Sequence, residues 1–138
     1  MNREIKFKGK RLDNGEWTCG YFYQESGNTY IIEDRQKESM LNRNIAYKVD
    51  PDTVGQYTGL KDKNGKDVYE GDVIETYSHS YIVTWFKRSS AFLLKEDETD
   101  NLNAFTPSLV LQSSDAVVTG NIHDRQKGGL YAGNKNNI

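Results

Sequence analysis

The fold of this chain is decided by residues 49–74, which read VDPDTVGQYTGLKDKNGKDVYEGDVI. This stretch alternates short apolar runs with three turn signals, namely Asp50-Pro51, Asn64-Gly65 and Glu70-Gly71-Asp72. Proline and glycine interrupt the chain too often for a helix, and the runs between them have the length of strands. The stretch therefore predicts a compact set of β-hairpins.

The Asn64-Gly65 pair at the centre of this stretch predicts a tight hairpin. Asn-Gly supplies the positive φ angles that two-residue hairpin loops need, so we expect Gly65 at positive φ. The surrounding residues superficially resemble a calcium-binding loop that would start at Asp62. Such a loop needs glycine at its sixth position and glutamate at its twelfth, where this chain has Asp67 and Val73. The hairpin is the better interpretation.

The first 50 residues read as a β-meander. Apolar and charged residues alternate over residues 3–8, which is the pattern of a half-buried strand. After a turn at Asp13-Asn14-Gly15, aromatic residues and a cysteine occupy alternate positions from Trp17 to Tyr23 and predict a second strand. A turn at Ser26-Gly27-Asn28 then leads into a third strand over Thr29–Glu33.

Helix signals are scarce, so the predicted fold class is mainly β, with at most one or two helical turns. Thr106-Pro107 opens one such turn, through Leu111, because proline suits the first helical position. A chain of 138 residues forms one domain, or two small subdomains that share a core. The Gly- and Asn-rich end has no apolar period, and we expect residues 124–138 to be disordered.

Composition excludes several classes of function. The formal net charge is −2 and the pI is about 5.7, values that do not favour a general binder of nucleic acid or anionic membranes. No apolar run approaches the roughly 20 residues of a membrane-spanning helix, and the first residues lack the apolar segment of a secretory signal. Cys19 is the single cysteine and cannot form an internal disulfide, so a reducing cytoplasm is the expected compartment.

Four carboxylates lie close together after the hairpin: Asp67, Glu70, Asp72 and Glu75. If they converged they would bind a hard cation, and a small carboxylate- or metal-dependent enzyme is one alternative function. Turns and strand faces expose carboxylates routinely, however, and an aspartate after glycine is well placed to accept backbone N–H bonds. No phosphate-binding loop, zinc-ligand spacing or hydrolase motif accompanies them, so no catalytic residue, cofactor or metal is predicted.

Trp85, Lys87 and Arg88 combine an aromatic ring with two cations and form the candidate binding surface. An exposed ring here would stack on single-stranded nucleic acid, which is a second alternative function. The run Tyr81–Phe86 is apolar enough to be a core strand, however, and we expect Trp85 to be buried. Cys19 receives the same interpretation, since a cysteine among aromatics usually packs as a small hydrophobe.

Three blocks of the chain resemble the YopX-like family of phage and prophage proteins. They are Arg3-Glu4-Ile5-Lys6-Phe7, the central signature in segments 54–60, 62–66 and 69–74, and the closing block Val118-Thr119-Gly120-Asn121-Ile122-His123. The resemblance spans residues 3–123 and is weak over residues 24–48 and 88–115.

The resemblance implies a small, mainly β, phage- or prophage-encoded protein inside the host cell. It also implies an N-terminal β-meander over residues 1–50 joined to a small SH3-like β-barrel over residues 51–123. The family has no settled biochemical activity and supplies no catalytic or binding residues. We therefore expect a non-enzymatic module that binds a host or phage protein through loops and open sheet edges, with no membrane partner. Nucleic acid is a disfavoured partner, and the sequence carries no signal for an oligomeric state.

Overall fold

The computed structural model describes residues 4–36, 38–77, 79–96, 104–111 and 115–124. Within these ranges the chain divides into two compact units, with the boundary between Gly59 and Leu60. Antiparallel strands dominate both units, which confirms the mainly β class. The helix α1 (Pro107–Leu111) begins at the predicted proline and confirms the helical turn.

The first unit is built on consecutive strands that pair in one antiparallel sheet. They are β1 (Phe7–Lys10), β2 (Trp17–Glu25), β3 (Asn28–Glu33), β4 (Ile45–Val49) and β5 (Gly55–Lys61). Their order across the sheet is β4-β3-β2-β1-β5, so the predicted meander is confirmed from β1 to β4. A 3-10 turn, Pro51–Thr53, joins β4 to β5, and the Asp50 carboxylate caps it by accepting the Asp52 N–H at 3.0 Å.

The ends of β1 and β4 meet, so the first sheet curls over its core. The Leu12 N–H donates to the Lys48 carbonyl oxygen at 3.0 Å just beyond the end of β1. Val49 lies at this junction and Ile31 lies on β3, and both side chains are buried. The core of the first unit is therefore on the concave face of the curled sheet.

β5 pairs with β1 and belongs to the first unit along most of its length. Gln56 lies opposite Phe7, and the Tyr57 N–H donates to the Lys6 carbonyl oxygen at 2.9 Å. The resemblance had assigned this strand to the barrel of residues 51–123. Local alternation of apolar and polar residues does not encode which distant strand is the partner, so the sequence did not reveal this pairing.

The second unit contains the remaining strands. They are β6 (Asp67–Tyr69), β7 (Asp72–Glu75), β8 (Ser80–Phe86), β9 (Ala91–Glu96), β10 (Ala104–Phe105) and β11 (Val117–Asn121). β6 is the second arm of the hairpin that β5 opens, and the other five pair in the order β10-β9-β8-β7-β11. In the described residues this sheet is open, with β10 and β11 at its edges. The described strands of residues 51–123 thus do not close into the implied barrel, and β5 pairs with β1.

The core of the second unit lies on one face of the open sheet. Its buried members are Val68, Ile74, Tyr81, Val83, Leu94 and Ala116. Val110 and Leu111 of α1 pack against this cluster, so the single helical turn closes one side of the core. Burial of these aliphatic and aromatic side chains supplies most of the stability of the unit.

The hairpin between β5 and β6 differs from its prediction in loop length. Gly65 has a φ of +80°, so the predicted positive φ is confirmed. The Gly65 N–H donates to the Asp62 carbonyl at 3.0 Å, and the Asp62 N–H donates to the Lys66 carbonyl at 2.9 Å. These bonds leave Lys63, Asn64 and Gly65 in the loop, with glycine last in the left-handed region. The predicted two-residue Asn-Gly loop is therefore wrong.

The predicted disordered tail, residues 124–138, lies outside the described residues apart from Asp124. This residue ends a 3-10 turn, Ile122–Asp124, and its carboxylate accepts the Asn121 N–H at 3.1 Å. The last described residues are thus tied to the end of β11.

Candidate functional site

The signature residue Asp72 is a buried structural connector. Its side chain has 0 % exposure, and it accepts hydrogen bonds from the Tyr69 backbone N–H at 2.8 Å and from the Asn121 side-chain amide at 2.9 Å. The Ile122 N–H adds a bond to the Gly71 carbonyl at 2.9 Å. The turn before β7 is therefore fastened to the end of β11, which joins the central and closing blocks of the resemblance.

Asp62 makes a second connection to β11. Its carboxylate accepts backbone N–H bonds from Asn64 and Lys66 at 2.9 Å and from Val118 at 3.0 Å. Burial of the carboxylate acts to raise its pKa, but the hydrogen bonds from Val118, Lys66 and Asn64 outweigh burial, and the pKa of Asp62 is lowered. The charged form of Asp62 is thus part of the folded structure.

The four candidate carboxylates have different surroundings. Asp72 is used within the core, Asp67 forms an ion pair with Lys61, Glu70 is half-buried in the turn before β7, and Glu75 lies on an exposed strand face. Among the described residues, no group of three or more His, Cys, Asp or Glu side chains is arranged to hold a metal ion. Within this cluster, Asp72 accepts hydrogen bonds and Asp67 forms an ion pair.

Trp85 was predicted to be buried, and this prediction is wrong. Its side chain is 45 % exposed and contacts Phe92 edge-to-face, with ring centroids 5.0 Å apart. Trp85 is near the end of β8, two residues beyond the buried Val83, so the core ends before it is covered. Lys87 and Arg88 follow in the exposed turn after β8. The candidate surface of Trp85, Lys87 and Arg88 is therefore accessible.

Cys19 was also predicted to pack in the core, and it is exposed. Alternation correctly placed it on the same face of β2 as Tyr21 and Tyr23, which are 48 % and 42 % exposed. The prediction assumed that the aromatic face of β2 is the buried face. In the first unit, the aromatic face is instead the convex side of the curled sheet.

The second half of β2 has a strand on one side only. β3 pairs with β2 as far as Glu25, whereas β1 pairs with β2 only from Trp17 to Gly20. Within the described part of the chain, no strand lies on the other side of residues Phe22–Glu25. We call this segment the open edge of β2.

The backbone of the open edge presents hydrogen-bonding groups outward. Ser26 and Gly27 have φ angles of 53° and 81°, which make a two-residue turn and place Glu25 in a hydrogen-bonded pair with Asn28. Hydrogen-bonded and non-hydrogen-bonded pairs alternate along an antiparallel ladder. Phe22 and Gln24 therefore direct their N–H and C=O groups away from β3.

Aromatic side chains cover both faces of this segment. Tyr21 and Tyr23 project from one face of β2 and Phe22, 41 % exposed, projects from the other. Sequence reasoning missed this feature, although the run Tyr21-Phe22-Tyr23 carries a signal for it. Three consecutive aromatics in a strand place apolar surface on both faces, which a strand with one buried face does not need.

The sheet edges formed by β4, β10 and β11 are protected. β4 carries Lys48 and is joined to Leu12, β10 has two residues, and β11 has a register shift between Val118 and Gly120. Short edges, lysines and bulges are the usual devices that prevent pairing with other chains. The stretch from Tyr21 to Gln24 has neither charge nor proline. The open edge of β2 is thus the exception among these edges.

A cleft of about 350 Å³ adjoins the open edge, at the place where β1 and β2 separate. It is lined by Glu4, Ile5, Lys6, Cys19, Gly20, Tyr21, Glu33 and Asp34. The Tyr21 hydroxyl donates to the Asp34 carboxylate at 3.1 Å across this cleft. Its lining holds three carboxylates against one ammonium group, so the cleft is acidic.

Comparison with known proteins identifies a family and a fold. The sequence pattern of the family described as YopX protein matches residues 6–127. The crystal structure of protein EF1440 from Enterococcus faecalis is similar, with a TM-score of 0.51 and 20 % sequence identity, and the match covers 89 % of this chain and 96 % of that one. No curated protein matches this chain in sequence.

The family match covers far more than half of the chain and includes both carboxylate connectors. No helix among the described residues has the length and apolar character needed to cross a membrane. The likeness to the Enterococcus faecalis protein supports a shared fold. The chain belongs to the YopX protein family.

Proposed function

We propose that this protein is a phage-encoded, non-enzymatic binding module whose open edge of β2 binds an extended segment of a host or phage protein. The observation that carries the proposal is the exposed aromatic edge Phe22–Glu25, which has no charge or proline before Glu25 and lacks the protective features of β4, β10 and β11. Exposed strand edges that lack such protection pair with other chains. An edge of this kind that stays exposed in the folded protein is therefore suited to binding another chain.

An added strand satisfies the outward-facing groups of this edge. The N–H and C=O groups of Phe22 and Gln24 provide main-chain hydrogen bonds, which give affinity in β-augmentation. The side chains of Phe22 and Tyr23 flank the new strand on opposite faces and provide selectivity.

The first unit is the better candidate for the SH3-like part of the family resemblance. It has five strands with a 3-10 turn before the last, whereas the second unit contains an open sheet.

Single-stranded nucleic acid is the second candidate partner, and the exposure of Trp85 favours it. Charge opposes it, because the net charge is −2 and the cleft beside the open edge is acidic. An enzyme is less well supported, since Asp72 and Asp62 are used in backbone connections. We assign the protein to the host cytoplasm, where its exposed, single cysteine stays reduced.

The test uses peptides selected by display from a random linear library against the folded protein. Affinity of the selected peptides is then measured for the wild type, Gln24→Pro and Gln24→Ala. Proline removes the outward N–H of residue 24 and leaves the ladder to β3 intact, while alanine removes only the side chain. We expect Gln24→Pro to weaken binding at least tenfold and Gln24→Ala to weaken it far less.

Equal affinities for the Gln24→Pro and Gln24→Ala variants would contradict the proposal, as would a selection that yields no binding peptide. A parallel titration with labelled single-stranded DNA and RNA at near-physiological salt tests the second candidate. Submicromolar binding that is lost in a Trp85→Ala variant would make nucleic acid the leading partner.

A further inference from the structure

We infer that the cleft beside the open edge of β2 takes a cationic side chain, so that the bound segment is a basic strand with an arginine or lysine next to its paired residues. This inference rests on the proposed function and names the chemistry of the partner. It depends on the cleft, its charge and its position at the end of the open edge.

The cleft is continuous with the open edge. Gly20 and Tyr21 form part of its lining and precede Phe22 directly in β2. A strand added along Phe22–Glu25 therefore runs into the cleft at one end. With a volume of about 350 Å³ the cleft is at the small end of ligand pockets, roughly 300–1,000 Å³, and suits one long side chain better than a nucleotide.

The lining supplies groups that bind a cationic side chain. Glu4, Glu33 and Asp34 supply carboxylates, and the bond from the Tyr21 hydroxyl holds Asp34 in place. Carboxylates bind guanidinium groups through paired, charge-assisted hydrogen bonds. The exposed ring of Tyr21 and the side chain of Ile5 offer apolar surface to the methylene stem of arginine or lysine.

Lys6 does not neutralise this cleft. Its ammonium lies 3.4 Å from Glu4 and 4.6 Å from the centroid of the Tyr57 ring. Glu33 and Asp34 lie at the end of β3 and directly after it. The Arg35 guanidinium is 3.9 Å from the Glu33 carboxylate, but the two side chains are 43 % and 44 % exposed, and such solvent-exposed pairs are weak. The same acidic lining repels phosphate, which makes a nucleic-acid strand a poor occupant.

The closing experiment compares the selected display peptides with synthetic versions in which each Arg or Lys is replaced by Gln. Affinity is measured for the wild type and for Asp34→Asn, Glu33→Gln and Glu16→Gln. Glu16 is an exposed carboxylate in the loop before β2, away from the cleft, and is the matched control. Cys19, at the cleft and the single cysteine of the chain, reports occupancy through its rate of thiol labelling.

We expect selected peptides to be enriched in Arg or Lys, and the Gln versions to bind roughly tenfold more weakly. Asp34→Asn and Glu33→Gln should each weaken binding several-fold, Glu16→Gln should not, and bound peptide should slow labelling of Cys19. Peptides that bind through the edge, as judged by Gln24→Pro, but show no basic preference would overturn this inference alone. Peptides that are insensitive to Gln24→Pro would overturn the proposed function as well.

Discussion

Two parts of this molecule differ in how their polar groups are used. Around β11, the carboxylates of Asp62 and Asp72 are buried and bonded to backbone N–H groups. Along the open edge of β2, the backbone groups of Phe22 and Gln24 face outward between exposed aromatic rings. The region around β11 contains the strongest sequence motif, whereas the open edge lies outside the three blocks that carry the family resemblance. The motif therefore marks what holds the fold together, and the proposed binding surface was found from topology and exposure.

The largest expected effect on stability is around β11. Asp72→Ala removes the acceptor for the Tyr69 N–H and the Asn121 amide in a site with 0 % exposure. We expect a loss of about 4 kcal/mol in the free energy of unfolding, because buried donors are left without an acceptor. Asp67→Ala removes a carboxylate from the partly exposed pair with Lys61 and should cost less than about 1 kcal/mol. Urea melts of both variants decide the comparison, and similar losses would contradict a structural role specific to Asp72.

The contribution of Asp62 to the free energy of unfolding depends on pH. Its folded-state pKa is lowered from the ordinary 3.8, so its charged form stabilises the fold above about that pH. This contribution is lost as the pH falls through the lowered folded-state pKa. We expect Asp62→Asn to cost about 2 kcal/mol at neutral pH, since hydrogen bonds to a charged acceptor are the stronger ones.

The difference in unfolding free energy between wild type and Asp62→Asn should then shrink below pH 3.8. Melts of both proteins across the acid range measure it. A difference that stays constant down to the acid transition would show that folding does not lower the pKa of Asp62.

The hairpins, the mainly β class and the turn at Pro107 were predictable because they depend on local chemistry. Turn residues and a proline at the first helical position act over a few neighbours in the chain. The partner of β5 was not predictable, because its pairing with β1 joins residues far apart in sequence. The exposure of Trp85 and Cys19 was missed for a related reason. Alternation tells which residues share a face, and only the assembled sheet tells which face is covered.

A smaller effect is expected at the hairpin loop that precedes β6. Gly65 has a φ of +80°, and no atom outside residues 64–66 lies within 4 Å of where a Cβ would be, so backbone strain alone opposes a side chain there. Gly65→Ala should destabilise by about 1 kcal/mol. A shift in the urea midpoint without a change in slope would fit this expectation, and an unchanged midpoint would contradict the loop geometry.

The smallest effect on stability belongs to the open edge. Tyr23→Thr keeps a residue with high strand propensity and removes a ring that is 42 % exposed and contacts the Tyr30 ring, with centroids 6.0 Å apart, so we expect a loss of about 0.5 kcal/mol. The same variant should weaken binding of selected peptides several-fold. Loss of stability comparable to that of Asp62→Asn would mean that Tyr23 serves the fold, and the contrast between the two regions would fail.

The most direct test of the central claim is amide hydrogen exchange, residue by residue, along β2 by NMR. In the free protein we expect the Phe22 and Gln24 amides to exchange quickly and the Tyr23 amide, in a pair with Tyr30, to exchange slowly. A saturating selected peptide should slow exchange at Phe22 and Gln24 and leave Tyr23 little changed. Protected Phe22 and Gln24 amides in the free protein, or no change on binding, would contradict the open edge as the binding site.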